Sequence, residues 1–128
     1  MSVSFDFTGK NVLVIGGTSG INLGIAEGFA AAGAQLGVAG RKQDKIDAAL
    51  PRLSGHGHEA VGYSLDVRNA EAVASAVAAF AERFGPIDVL VSGAAGNFPA
   101  RAVDLSPNGF KAFVDIDLLG TFHVMSAA

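Results

Sequence analysis

The chain has no cysteine and no tryptophan, a single tyrosine, and no run of Lys or Arg longer than the pair Arg41-Lys42. Without thiols there is no disulfide framework and no thiolate chemistry, which fits a reducing compartment. The sparse basic residues and a formal net charge of −3 argue against nucleic acid or an anionic membrane surface as a partner. No apolar run approaches the about 18 residues that a spanning helix requires. The start, "MSVSFDFTGK", lacks the basic and apolar regions of a secretion signal. A cytoplasmic protein is expected.

Half of the 128 residues are apolar, enough for one core, so a single domain over 1–128 is expected. "NVLVIGG" (11–17) is a short apolar run bounded by turn residues, as in a strand buried on both faces. "AQLGVAG" (34–40) and "DVLVSGA" (88–94) repeat the pattern, and "HEAVGYSLDV" (58–67) is a more mixed version. Between them lie helical stretches at 21–32, at 42–54 with Pro51 disturbing its end, and at 69–84. The last has Asn69 as N-cap, Val73, Ala76, Val77, Phe80 and Phe84 at helical spacing, and Gly85-Pro86 as its stop. This βαβαβαβα alternation predicts an α/β fold, a Rossmann-like doubly wound parallel sheet with right-handed crossovers.

The final segment, 106–128, opens with Ser106 as N-cap and Pro107 at the first helical position. Phe110, Phe113, Val114, Leu118, Phe122 and Met125 fall on one apolar stripe. It ends at Ala128 without a terminating glycine or turn, and the fourth strand would form an uncovered apolar edge. Both features suggest a fold that is incomplete at its C-terminal side.

The chemistry concentrates where strands hand over to helices. Gly16 and Gly20 after the first strand suit a turn that passes close to a pyrophosphate, and helix 21–32 offers its N-terminal N–H groups. Thr18 and Ser19 add hydroxyls, and Ile21 and Asn22 carry the turn into the helix. The alternative is an ordinary tight strand-to-helix turn. Arg41 and Lys42 follow the second strand with no carboxylate before Asp44. A basic pair there would receive the 2′-phosphate of NADP(H), whereas an acid would favour NAD(H). The alternative is a solvated pair that begins a surface helix. Asp66, next to Val67 at the end of the third strand, would accept from an adenine amino group or satisfy nearby backbone donors. Gly93, Ala94 and Ala95 keep small residues where a cofactor's ribose and nicotinamide would run, and Asn97 and Phe98 open a loop suited to substrate. Asp117 falls on the apolar stripe, where a carboxylate costs several kcal/mol unless hydrogen-bonded. It reads as a catalytic or a structural acid. His123 lies beside the stripe as a surface or interface residue. His56 and His58 sit in a glycine loop with no third ligand in the sequence nearby, so no metal site is expected.

These motifs resemble the N-terminal half of the short-chain dehydrogenase/reductase family over essentially the whole chain. "IGGTSGIN" stands where the family has Thr-Gly-x-x-x-Gly-x-Gly, with Ile15 replacing the threonine and Asn22 the last glycine. "SGAAGNF" and "VDIDLLGTF" are similar to 2,4-dienoyl-CoA reductases of the peroxisomal kind, with Asp117 in the place of the family's helix asparagine. The resemblance implies hydride delivery from NADPH to a conjugated acyl-CoA thioester, with Asp117 helping to place the proton donor. A carbonyl reductase or a non-catalytic dinucleotide-binding module is the alternative. The family's Tyr-x-x-x-Lys is absent, since Tyr63 is followed four residues later by Val67. The segment alone is therefore expected to be inactive. The resemblance further implies a homotetramer assembled through the 106–128 helix.

Overall fold

The computed structural model describes residues 2–128. Four strands, β1 (Asn11–Ile15), β2 (Gln35–Gly40), β3 (Val61–Ser64) and β4 (Val89–Ser92), pair in the order β3-β2-β1-β4. All are parallel, with Val12 of β1 opposite Leu36 of β2 and Val89 of β4. The connecting helices are α1 (Gly20–Ala31), α2 (Gln43–Ser54) and α3 (Ala70–Phe84).

Alternation along β1 builds two cores at once. Val12 and Val14 face one side of the sheet with Leu23, Ala26, Ala49 and Leu53 of α1 and α2. Leu13 and Ile15 face the other with Val73, Val77 and Phe80 of α3. Each fully buried aliphatic contributes about 1.5–3 kcal/mol relative to exposure, so β1, covered on both faces, anchors the sheet. Phe80 is seated by the absence of a side chain at Gly37, where a Cβ would come within 2.7 Å of its ring. Asn69 caps α3 by accepting from the Ala72 N–H at 3.1 Å. These features match the doubly wound, Rossmann-like fold read from the sequence.

Several details differ. The third strand is confined to Val61–Ser64 rather than 58–67. Pro51 does not end α2, which continues to Ser54 because Leu53 remains fully packed in the core. β4 lies at the edge of the four described strands, as expected, and is half-buried along its length, not enclosed on both faces.

The largest correction concerns 106–128. Ser106 caps α4 (Pro107–Phe113) by accepting from the Gly109 N–H, but a π-helical turn at Val114–Leu119 then separates it from α5 (Gly120–Ala127). Hydrogen bonds in a π turn span one residue more than in an α-helix, so the following face is rotated out of phase with the sequence stripe. Gly120 and Val124 are the buried positions, whereas Phe110, Leu118, Phe122 and Met125 stand 61–65% exposed. Asp117, expected among buried apolar groups, is exposed as well. Among the described residues no helix is long and apolar enough to cross a membrane.

Candidate functional site

At the carboxyl ends of the strands lies a cavity of ≈ 330 Å³, within the roughly 300–1,000 Å³ range of ligand pockets. The sheet order reverses between β1 and β4, and crevices of this kind open at such a reversal.

The turn after β1 forms one wall. Gly16 has φ 80°, and a Cβ there would lie 2.7 Å from the Ala94 nitrogen, so backbone meets backbone. Ser19 takes the N-cap position of α1 in extended geometry, yet its side chain makes no capping bond, and the first turn of α1 contains no acidic residue. The leading N–H groups and the positive helix end are thus left without an internal anion. Gly20 has φ 59°, and a Cβ built on it would have no heavy atom within 4 Å. Thr18, Ser19 and Asn22 line the cavity; Gly20 and Ile21 do not, and Ile21 is 84% exposed.

Arg41 and Lys42 line the β2 side together with Lys45, a residue the sequence reading passed over. Lys45 lies in the first turn of α2 and, three residues beyond Lys42, shares its helix face. Among the described residues none of the three forms a salt bridge. Three cations around one cavity, against the single carboxylate of Asp66, suit an anionic ligand.

Asp66 and Val67 line the β3 side. The Asp66 carboxylate accepts from the Arg68 backbone N–H at 2.9 Å and from its guanidinium at 2.6–3.1 Å. It therefore satisfies neighbouring donors, the plainer of the two roles open to it, while keeping its place in the cavity wall. The Arg68 hydrogen bonds hold its carboxyl below the ordinary value of 3.8, against the opposing effect of partial burial. A carboxyl depressed on folding stabilises the native state above its unfolded pKa, and that contribution is lost as pH falls through the folded value. Wild type is therefore expected to outlast Asp66→Asn at neutral pH, with the gap closing once pH drops below about 3.8. Thermal melts by circular dichroism across this interval check it; a gap independent of pH would remove the assigned linkage.

On the β4 side, Gly93, Ala94 and Ala95 line the cavity, joined by Ile116 of the π turn. Asp117 sits just outside the lining and accepts from the Gly96 N–H at 2.9 Å. Thr121 donates to the Asp117 carbonyl at 2.6 Å, and Asp115 turns away to pair with Lys111. Asn97 and Phe98 do not reach the cavity; the Phe98 ring packs on Phe113 with centroids 4.9 Å apart. Asn22, unexplained by sequence, donates from Nδ2 to the Gly93 carbonyl at 2.9 Å. His123 is not simply a surface residue: its Nδ1 lies 2.7 Å from the Val67 carbonyl, an acceptor, so Nδ1 carries the proton. Ile15, Ala39, Gly40 and Leu65 complete the lining. Their signal was available, because each lies at or just beyond the carboxyl end of a strand. Tyr63, within β3, lies outside the cavity; burial pushes its phenol up, partly countered by Arg83. Among the described residues no three His, Cys, Asp or Glu side chains converge to hold a metal.

An anion-ready helix end, a close backbone crossing and a basic rim at one strand reversal define a Rossmann-like nucleotide-binding fold. The short chain dehydrogenase family profile matches residues 10–128, and the chain belongs to that family. It is 43% identical over 120 residues to a peroxisomal 2,4-dienoyl-CoA reductase of Arabidopsis thaliana, covering 94% of this chain and 40% of the relative. It is 39% identical over 126 residues to a 2-dehydro-3-deoxy-D-gluconate 5-dehydrogenase of Formosa agariphila, covering 97% and 48%. The crystal structure of an actinorhodin polyketide ketoreductase with NADPH superposes with TM-score 0.88 at 32% identity, covering 98% of this chain and 48% of that one. The chain spans less than half the length of these proteins.

Proposed function

We propose that this chain is the cofactor-binding part of an NADPH-dependent reductase that acts on an enoyl- or dienoyl-CoA thioester. The observation that carries the cofactor reading is the pairing, in one cavity, of the uncapped α1 N-terminus with Arg41, Lys42 and Lys45. The helix end suits a pyrophosphate, and the three cations, none in a salt bridge among the described residues, suit a 2′-phosphate in preference to a bare ribose. Gly93 to Ala95 admit the remainder of the cofactor close to the backbone. Bound NADPH would supply a hydride. This chain's own contribution to the proton side is Asp117, held at the rim by Gly96 and backed by the π turn. The name of the Arabidopsis relative, and the resemblance of the segment around Asp117 to that branch of the family, support the thioester substrate. The names of the other two relatives support carbonyl reduction as a second reading. Phe110, Leu118, Phe122 and Met125 would supply the apolar contacts of a homotetramer built on the 106–127 helices.

The cofactor reading is tested by titrating the intact protein with NADPH and NADH, following the rise in nicotinamide fluorescence. Wild type is expected to prefer NADPH. Arg41→Ser is expected to weaken NADPH about 10- to 100-fold, the worth of one charged hydrogen bond, and to leave NADH nearly unchanged. Equal loss of both cofactors would overturn the 2′-phosphate assignment. Consumption of NADPH with a 2,4-dienoyl-CoA but not with a ketone separates the two substrate readings.

A further inference from the structure

Asn22 stands where the sequence pattern calls for a third glycine, and its contacts give it a task. Its Nδ2 donates to the Gly93 carbonyl at 2.9 Å, across 71 residues of chain. Among the described residues no other side-chain hydrogen bond ties α1 to the end of β4. The amide also lies flat on Gly93, because a Cβ there would fall 2.4–2.6 Å from all three of its terminal atoms. Gly93 is held from the other side too, its own N–H donating to the Ile15 carbonyl at 2.8 Å. One residue further on, Ala94 meets Gly16 backbone to backbone.

We infer that Asn22 is a positioning residue: its amide latches the turn after β1 to the end of β4 and so fixes the cavity floor for any ligand that crosses between them. This rests on the dinucleotide reading above, because a ligand confined to the Arg41 side does not cross that floor. With the latch in place, a side chain at position 93 would have to displace the Asn22 amide. It also fixes the amide orientation, since a carbonyl acceptor requires Nδ2, not Oδ1, to face it.

The consequence is a split between ligands. Adenosine 2′-monophosphate needs only the basic rim, whereas NADPH spans the floor. In Asn22→Ala, NADPH is expected to bind about fivefold more weakly, the loss of one neutral hydrogen bond, with adenosine 2′-monophosphate unchanged. Gly93→Ala is expected to weaken NADPH in the wild-type background and to do so less in Asn22→Ala, where the overlapping amide is gone. Calorimetric titration of both ligands into all four proteins decides it. Failure of wild type to bind either ligand overturns the dinucleotide reading itself. Binding of both with an equal loss in Asn22→Ala, or none, or with additive substitutions, overturns the latch alone. Retained adenosine 2′-monophosphate binding shows that a variant is folded.

Discussion

Asp117→Ala is expected to lower kcat for the proposed thioester reduction in the intact protein by about 10²- to 10⁴-fold, the usual worth of a positioned acid or base. NADPH affinity is expected to change little, because Asp117 lies outside the cavity lining. The fold should tolerate the change. Asp117 is exposed, and the Gly96 N–H it relieves is only half-buried and can turn to water. The informative control is Asp117→Asn. Its side-chain oxygen can still accept from Gly96, but an amide neither takes up nor releases a proton at neutral pH. If both variants are slow at unchanged NADPH affinity, the carboxylate handles the proton. Recovery of kcat in the asparagine variant would assign Asp117 to holding Gly96 and remove it from proton transfer.

Gly16→Ala and Gly20→Ala are expected to differ in severity. At Gly16 a side chain meets both a left-handed backbone, costing about 1–3 kcal/mol, and the Gly93-Ala94 backbone at 2.7–2.8 Å. Backbone cannot yield as a side-chain tip would, so overpacking adds about 1–3 kcal/mol. Against the roughly 5–15 kcal/mol of a whole domain, a large fall in Tm follows, with NADPH binding lost through distortion of the floor. At Gly20 the strain is similar in kind, but the new methyl points into open space and meets nothing in the protein. Gly20→Ala should therefore melt closer to wild type, and since Gly20 lies outside the cavity lining it should weaken NADPH less than Gly16→Ala does. Thermal melts paired with fluorescence titration read both quantities. Equal melting and binding losses at the two positions would contradict this division.

The strands and helices were largely legible, because their signals are local: apolar runs ending in glycine, an asparagine before α3, a Gly-Pro after it. The site was legible in outline for the same reason, as Gly16, Arg41, Asp66 and Gly93 each follow a strand by position alone. What escaped was set by distant contacts. Asn22 acquires its meaning from Gly93, and His123 from the Val67 carbonyl 56 residues earlier. A uniform 3.6-residue period across 106–128 puts Asp117 on the apolar stripe, and the π turn at 114–119 breaks that period. No run of residue types there announced the extra residue. Lys45 stands apart from the adjacent pair in sequence, yet a helix beginning at Gln43 carries it onto the same side as Lys42.

The parallel sheet is assembled mostly from neighbours in sequence, with β1, β2 and β3 joined in order by α1 and α2. β4 alone must travel back past them, and its docking on β1 is marked by the Asn11 N–H donating to Asp88 across 77 residues. Loop closure over such a separation carries an entropic cost that the nearer pairings do not meet. Both sides of the cavity floor, Gly16 and Gly93-Ala94, come from the two partners of that last closure. Competence to hold a crossing ligand and the joining of β4 to β1 are consequently one event, and such a ligand acts as a thermodynamic clasp on the most distant pairing among these strands.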